Sequence, residues 1–218
     1  FNLHRPAAIL TEHARQLNPV RMTNALLRAA VARGVRLHAC EQIDLAGAAA
    51  SDQPLRIRTA NATIAARWGV LATGYETPEQ FHLVARRAAL KSTYAIATDR
   101  LAEPPWPHRA MIWESARPYL YARTTADGRV LVGGEDEDFT DPDARDALLP
   151  SKAKALQRKL HDLAPHINAD IEFAWAGAFA ETEDGLPLIG AHPNWPHTHF
   201  ALGYGGNGFV FSQIASEI

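Results

Sequence analysis

A glycine-rich segment near the carboxyl end of the chain constrains the fold more than any other feature. Residues 203–208 hold four glycines in six positions, follow a short strand-like run at 198–202 and lead into an apolar helical run. Glycines let the backbone adopt positive φ and pass close to a bulky group. The N–H groups and positive dipole end of the following helix suit a phosphate or another electron-rich group. Because the full dinucleotide fingerprint is missing, a glycine-rich turn without a ligand is the alternative.

A second signal stands at the end of the apolar run 68–74. The run is typical of a buried strand in a parallel sheet. It closes with Ala72-Thr73-Gly74, and small residues at the carboxyl end of such a strand lie where α/β sheets bind ligands. A plain connecting turn is the alternative interpretation.

Hydrophobic periodicity predicts an α/β layer at the two ends of the chain and antiparallel sheet in the middle. Asn18-Pro19 is typical of a helix start, and that helix is predicted to end at Gly34. Asp127-Gly128 predicts a hairpin turn. A second helix is expected at 152–164, after an exposed polar connection at 136–150. The predicted strands and ribbons are 7–10, 35–40, 41–46, 54–66, 68–74, 93–98, 119–125, 129–133, 171–179 and 198–202.

Composition excludes several classes of function. The chain has 218 residues and a formal net charge of −2, so no overall charge draws it to nucleic acid or to a membrane surface. No apolar run reaches the roughly 18–20 residues of a membrane span. Cys40 is the one cysteine, which excludes an internal disulfide framework and fits a reducing compartment. A cytoplasmic location is therefore expected.

The histidines do not form a metal motif. His192, His197 and His199 cluster in a proline-containing loop that lacks cysteine or carboxylate partners at ligand spacing. The acidic stretch 135–138 does not have the spacing of an EF-hand loop. We therefore predict no metal site.

In combination, the motifs resemble those of the D-amino-acid-oxidase-like FAD-dependent oxidoreductases, the family of glycine oxidase, sarcosine oxidase and D-amino acid dehydrogenase. The resemblance covers nearly the whole chain and follows the family's order. The matching segments are Leu17-Asn-Pro19 with Leu26 and Leu27, Arg33-Gly-Val35 with Ile43, Ala72-Thr73-Gly74, Trp175-Ala-Gly177 with Thr182, Asp184-Gly-Leu-Pro-Leu-Ile-Gly190, and 203–208.

The resemblance implies a mixed α/β fold of two interleaved parts. Residues 14–80 and 198–218 would form a partial FAD-binding domain of the glutathione-reductase type. Residues 1–13 and 81–197 would form a substrate domain built on antiparallel sheet. The implied activity is oxidation of the C–N bond of a small amine or amino acid, by hydride transfer to the flavin N5 atom. Because the cofactor carries the chemistry, no general base is expected and no catalytic residue is named.

FAD contacts are also implied by the resemblance, segment by segment. Ile43 would meet the adenine side through its backbone, and 72–74 would lie near the dinucleotide. Gly185 and Pro187 would shape the flavin edge. Main-chain groups of 207–210, at the start of the last helix, would hold the isoalloxazine end. The implied cofactor-binding residues are Ile43, Ala72, Thr73, Gly74, Gly185, Pro187, Gly205, Gly206, Asn207, Gly208, Phe209 and Val210.

Two departures from the family pattern stand out. The family's amino-terminal βαβ unit with GxGxxG and its ribose-binding Glu is missing, the chain begins at Phe1 and it ends inside a helical run. A segment of at least roughly 30 residues is therefore expected to precede it, and without that segment FAD should bind poorly. In addition, Phe179 occupies the position where glycine-oxidase-like members carry a carboxylate-clamping Arg, and Phe cannot make a bidentate clamp.

Substrate contacts are expected from a strand that faces the flavin in relatives. Tyr119 would hydrogen-bond the substrate and Arg123 would pair with an acid, while Phe179 would line the same site. Core packing is the alternative for Tyr119, and a surface charge is the alternative for Arg123. Glu114 and Arg117 are expected to form a plain ion pair.

A second hypothesis belongs to another class. The chain would be a non-catalytic relative, or one part of a flavoprotein that needs a partner chain or the missing segment to bind FAD. An exposed apolar patch in place of the first βαβ unit is expected in either case.

Overall fold

The computed structural model describes residues 6–39, 43–45, 53–76, 81, 88–116 and 118–218. Three helices, eleven strands and one 3-10 turn are found within these ranges. The helices are α1 (Pro19–Ala32), α2 (Pro142–Leu163) and α3 (Gly208–Ala215), and the 3-10 turn is Pro107–Arg109. The strands are β1 (Asp44–Leu45), β2 (Leu55–Arg58), β3 (Thr63–Ala66), β4 (Gly69–Gly74), β5 (Ala88–Thr98), β6 (Ile112–Trp113), β7 (Leu120–Thr124), β8 (Val130–Glu137), β9 (Ile171–Thr182), β10 (Leu188–His192) and β11 (Trp195–Leu202).

The middle of the chain folds into an antiparallel sheet of five strands in the order β6-β7-β8-β5-β9. Helix α2 covers one face of this sheet. Its Leu156, Leu160 and Leu163 pack against buried strand residues such as Tyr94 and Val132. Residues along β7 alternate between buried and half-buried, because every second side chain points away from the helix. The other face of the sheet, called the open face here, is not covered by α2.

A smaller sheet has the order β10-β11-β4, with β11 and β4 parallel. Its core contains Leu71, Phe200 and Leu202 together with Leu55 and Phe81. The predicted parallel pairing of 68–74 is confirmed. Burial of that strand is less than expected, since only its Leu71 is buried among the six residues of β4. Val70 is 69% exposed on this strand.

The first helix and the β-ribbon agree with the sequence prediction. The Asn18 side chain accepts a hydrogen bond from the Arg21 N–H at 3.0 Å, Pro19 opens α1, and Gly34 follows its end with φ of +94°. Strands β1, β2 and β3 form an antiparallel meander over the predicted ribbon. No residue of α1 is buried, so the apolar face of this helix contacts solvent.

Three local predictions were wrong. Residues 7–10 are not a strand, and neither are 35–39, the described part of the predicted strand 35–40. The polar stretch 136–150 is not a connection: β8 continues to Glu137, and α2 begins at Pro142. Asp141 caps that helix through its side chain, and Pro142 provides the favoured first-turn proline. Helix α2 then continues through Pro150, so it begins ten residues before the predicted start at Lys152.

Candidate functional site

The two glycine-closed strand ends lie side by side. In the parallel pairing of β11 with β4, Leu202 lies opposite Gly74. Strand β4 therefore ends with residues 72–74 at the same edge from which segment 203–208 leaves the sheet. This is the edge formed by the carboxyl ends of parallel strands, where open α/β sheets bind ligands. The chain therefore brings together the two segments that the sequence marked separately.

Open space faces the backbone at this edge. A Cβ atom added to Gly74 or Gly206 would meet no heavy atom within 4 Å, and one added to Gly208 would meet only Tyr204, at 4.0 Å. Gly74 also has φ of +64°, a conformation that side-chain-bearing residues rarely adopt. The edge is thus a glycine-lined cradle that no side chain of the described residues fills at these three positions.

Helix α3 starts at the cradle. Asn207 is its N-cap, but the Asn207 side chain makes no capping hydrogen bond. The Phe211 N–H donates to the Asn207 carbonyl at 3.1 Å, which is the first hydrogen bond of the helical i to i−4 pattern. The N–H groups of 208–210 come before it, so the helix itself supplies them with no acceptor of this pattern. Phe209 and Val210 are 45% and 60% exposed. The helix start can therefore donate hydrogen bonds to an electron-rich group in the cradle.

The glycine segment is also attached to the five-stranded sheet. The Gly205 N–H donates to the Ala180 carbonyl at 2.9 Å, and Glu181 forms an isolated bridge with Tyr204. Both contacts involve the end of β9. The cradle consequently adjoins the antiparallel sheet, and the two sheets meet at this point of the chain.

One rung of the open face combines large aromatic residues with small ones. Strand pairing aligns Trp113 with Tyr121, Tyr121 with Gly133, Gly133 with Ala95, and Ala95 with Trp175. Paired residues of a sheet point to the same face. Trp113 and Trp175 are 68% and 45% exposed. The rung therefore carries an indole ring at each end, and the Tyr121 ring lies over Gly133 between them.

The predicted substrate residues share this face but do not converge. Arg123 is paired through Leu131 to Ala97 of β5, whereas Phe179 is paired with Lys91 of β5. Ala97 and Lys91 are six residues apart on one strand, which corresponds to roughly 20 Å. Phe179 thus lies toward the cradle, and Arg123 lies at the far end of the face.

Arg123 and Tyr119 have neighbours of their own. The Arg123 guanidinium donates to the Gln16 Oε1 atom at 3.2 Å. Burial lowers the pKa of Arg123, although the nearby Tyr121 raises it. The Tyr119 ring centroid lies 6.1 Å from that of Tyr121. Tyr121 is therefore a neighbour of both Tyr119 and Arg123.

The remaining predicted cofactor residues lie in two places. The Gly185 N–H donates to the Thr182 carbonyl at 3.1 Å, in the turn between β9 and β10. Pro187 directly precedes Leu188, which pairs with Leu202 at the cradle edge. Ile43 instead precedes β1 in the three-stranded meander, and no backbone pairing among the described strands joins that meander to β4 or β11.

Comparison with known proteins identifies the family. The model of the family described as FAD dependent oxidoreductase (DAO) matches residues 3–218. The chain belongs to this family. Among curated protein sequences no match was found. Members of the family depend on FAD.

Several solved structures share the fold. Glycine oxidase from Geobacillus kaustophilus has a TM-score of 0.70 at 21% identity, over 90% of this chain and 51% of that one. L-Proline dehydrogenase from P. horikoshii has a TM-score of 0.71 at 18% identity, over 89% and 52%. Iminodiacetate oxidase from Chelativorans sp. BNC1 has a TM-score of 0.73 at 18% identity, over 90% and 52%. The chain therefore spans about half the length of these structures.

The DAO-family cofactor fits the residues that line the cradle. A flavin dinucleotide needs close backbone approach and main-chain donors, and the cradle offers unfilled space at Gly74, Gly206 and Gly208 beside the start of α3. The described residues contain no helix long and apolar enough to cross a bilayer. They also contain no group of three side chains arranged as metal ligands.

Two residues near the predicted substrate strand were not predicted from the sequence. Tyr121 lies between the predicted Tyr119 and Arg123, and the two-residue period of a strand would have placed it on the face of Arg123. Asp136 was assigned to an exposed connection, but both of its carboxylate oxygens are buried. Burial raises the pKa of Tyr121, and the negative charge of Asp136 raises it further.

Some predictions fall on residues outside the described ranges or concern other surfaces. Arg117, the expected ion-pair partner of Glu114, lies outside the described residues, as does Cys40. His192 packs on the Trp195 ring at 4.8 Å between centroids. His199 packs on the Trp68 ring at 5.5 Å.

Proposed function

We propose that this chain forms the flavin-side cradle and the substrate wall of an FAD-dependent enzyme that oxidises the C–N bond of a small amine or amino acid. The observation that supports this most is the pairing of Leu202 with Gly74. It sets two glycine-closed strand ends side by side, next to the open face of an antiparallel sheet. The bound flavin would accept the hydride that leaves the carbon next to the amine nitrogen.

The chain's own residues would bind the flavin and orient the amine substrate. Gly205, Gly206 and Gly208 would let the backbone approach the flavin, and the N–H groups at the start of α3 would donate to its electron-rich atoms. The open face of the sheet would position the amine beside the flavin. No side chain is assigned a proton-transfer step.

The substrate class is supported by the names of the related structures. They are described as a glycine oxidase, an L-proline dehydrogenase and an iminodiacetate oxidase, and each of these names refers to an amino acid or a related amine. Their identity to this chain is at most 21%, so we extend to it only the shared class of substrate.

A second candidate function is that of a part which binds FAD only with another segment or chain. Two observations favour it. Strand β4 pairs only with β11 among the described strands, which leaves its other edge available. The apolar side chains of α1 are exposed, with Leu26 at 59% and Val31 at 49%. Together with the half-length match, these surfaces are consistent with a covering element of the whole protein.

A visible absorption spectrum distinguishes the two candidates. Protein made from the complete reading frame should show flavin absorbance that bleaches when small amines are added without oxygen. Chain 1–218 alone, supplied with FAD, should bind it weakly if a covering element is required. Absence of flavin from the complete protein would refute both candidates.

Variants of the cradle test its role. We expect Gly206→Val to abolish flavin binding while it preserves the circular dichroism spectrum, because the added side chain enters open space. Ala126→Val is the control, since Ala126 is exposed in the β7–β8 turn and should retain flavin. Equal flavin content in both variants would refute the assignment of the cradle.

A further inference from the structure

An ion pair stands where the five-stranded sheet meets the glycine segment 203–208. The Lys91 Nζ atom of β5 lies 3.0 Å from the Glu181 Oε2 atom of β9, and the two side chains are 24% and 27% exposed. Asp138 is a second carboxylate near Lys91, but it is 3.7 Å away and its side chain is 90% exposed. Because solvent and side-chain entropy weaken exposed pairs, Glu181 is the principal carboxylate partner of Lys91.

The pair lies at the cradle end of the open face. Strand register sets Lys91 opposite Phe179 and Glu181 opposite Ala89, and β5 and β9 pair residue by residue along this stretch. Side chains two positions apart on a strand share a face. Lys91 is four residues from Ala95, which belongs to the rung of the open face. The Lys91–Glu181 pair is therefore on that face, beside the point where the glycine segment meets β9.

Glu181 contacts the glycine segment with its main chain and its side chain. Its backbone forms an isolated bridge with Tyr204. A Cβ atom added to Gly205 would meet the Glu181 Cγ atom at 3.8 Å, so the stem of this side chain lies along the segment. The neighbouring Ala180 carbonyl accepts the Gly205 N–H at 2.9 Å. An interaction that fixes the Glu181 side chain therefore also restrains the backbone around Gly205.

The glycine segment needs such restraint from outside. Four of its six residues are glycines, which lose more conformational freedom on ordering than any other residue type. Gly203 and Gly205 both have positive φ, at +69° and +52°. The segment leads directly into α3, so its conformation sets where the N–H groups of 208–210 point. A contact that orders the segment before a ligand arrives lowers the entropy cost of binding.

We propose that Lys91 and Glu181 are positioning residues that hold the glycine segment in the conformation that binds the flavin. Lys91 acts through Glu181: it fixes the carboxylate, and the Glu181 stem and backbone restrain the segment. Neither residue is assigned a proton-transfer step or a contact with the substrate. This inference rests on the proposed function and names residues that prepare the same site.

Hydrogen exchange tests the restraint directly. Protein made from the complete reading frame is freed of flavin, and amide exchange is followed by mass spectrometry. We expect Lys91→Met to speed exchange in peptides that cover 203–211 roughly 3- to 10-fold, between the effects of an exposed ion pair and of a charged hydrogen bond. Peptides from β7 and β8 should exchange at the parent's rate. The affinity for added FAD should fall by a similar factor.

Three further variants separate the pair from a general effect of charge. Lys154→Met removes an exposed lysine of α2, and Asp138→Asn removes the distant carboxylate, so both should behave as the parent. Lys91→Arg keeps a cation opposite Glu181 and should restore slow exchange.

A double-mutant cycle then measures the coupling. Because Lys91→Met and Glu181→Gln remove the same contact, the double variant should be no worse than the more affected single variant.

Unchanged exchange of 203–211 in Lys91→Met would overturn the proposal. So would an equal rise in the β7 and β8 peptides, or single effects that add in the double variant. If Lys91→Met does not fold, Glu181→Gln must show the same local change, and its failure to do so also overturns the proposal.

Flavin absorbance of the parent is recorded separately. A flavin-containing protein whose glycine segment is insensitive to Lys91→Met would refute this inference alone. A protein without flavin whose segment exchanges faster in Lys91→Met would refute the proposed function alone.

Discussion

Two adjacent glycines of β8 offer a sharp test of how the open face is packed. A methyl group at Gly133 would overlap the tip of the Tyr121 ring, whereas one at Gly134 would overlap the Tyr119 carbonyl oxygen. Gly134 also has φ of +134°, which is strained for any other residue. The same Gly→Ala change therefore meets a movable side chain at one position and fixed backbone at the next.

The expected costs differ for this reason. Tyr121 can rotate away from Gly133→Ala for about 0.5–1.5 kcal/mol, the cost of an off-rotamer side chain. Gly134→Ala adds a backbone overlap of about 1–3 kcal/mol to a conformational strain of about 1–3 kcal/mol. In a chain of this length about 1 kcal/mol lowers Tm by about 2–4 °C. We therefore expect a loss of about 1–6 °C for Gly133→Ala and of at least about 4 °C for Gly134→Ala.

Thermal and urea unfolding of both variants, followed by circular dichroism, measure these costs. A double-mutant cycle with Tyr121→Ala identifies their origin, because removal of the ring should relieve Gly133→Ala and leave Gly134→Ala unaffected. The reasoning is refuted if Gly134→Ala is no more destabilising than Gly133→Ala, or if the cost of Gly133→Ala persists without the Tyr121 ring.

Three other predictions concern stability. Leu156→Ala should lower the free energy of unfolding by about 2–5 kcal/mol in urea titrations, because Leu156 is fully buried between α2 and the sheet. Asp141→Ala should cost about 0.5–2 kcal/mol by the same measurement, since the Asp141 Oδ1 atom accepts the Ala144 N–H at 2.7 Å. Burial alone would raise the pKa of Glu135, but Lys159 lowers it below 4.5. The stability from this carboxylate is therefore present at neutral pH and lost as pH falls through the lowered pKa, so Glu135→Gln should narrow the difference between urea midpoints at about pH 7 and about pH 3.

Elements with strong local signals were predictable from the sequence. The Asn18 cap and Pro19 define the start of α1, and Asp127-Gly128 forms the hairpin turn in which the Gly128 N–H donates to the Thr125 carbonyl. Each of these signals involves a few neighbouring residues, so tertiary contacts are not needed to interpret it. The prediction of α2 was less complete, because the polar stretch 136–150 resembled an exposed connection and the long helix depends on packing of its leucines against the sheet.

The candidate site was predictable only in parts. Motifs marked Ala72-Thr73-Gly74 and 203–208 as cofactor segments, and their roles in binding FAD stay predictions. Their adjacency depends on the parallel pairing of two strands that are more than a hundred residues apart in the chain, and no local pattern specifies such a pair. Asp136 was missed because the polar run around it resembles an exposed loop. Tyr121 lies within the predicted strand 119–125, and the two-residue period of a strand would have placed it on the face of Arg123.

The sequence by itself determined the glycine-rich turn, the capped helix α1 and the hairpin of the middle sheet, since each depends on a few neighbouring residues. It also determined membership of a flavin-dependent family, because the order of the motifs along the chain is typical of that family. Only the tertiary structure decided which side chains share a surface. Strand register controls this, because a slip of one residue moves every side chain to the opposite face of a sheet. The register observed here places Tyr121, Gly133 and Trp175 on one rung of the open face. The open face is left uncovered by α2, because α2 packs on the opposite face and buries the alternate side chains of the strands there.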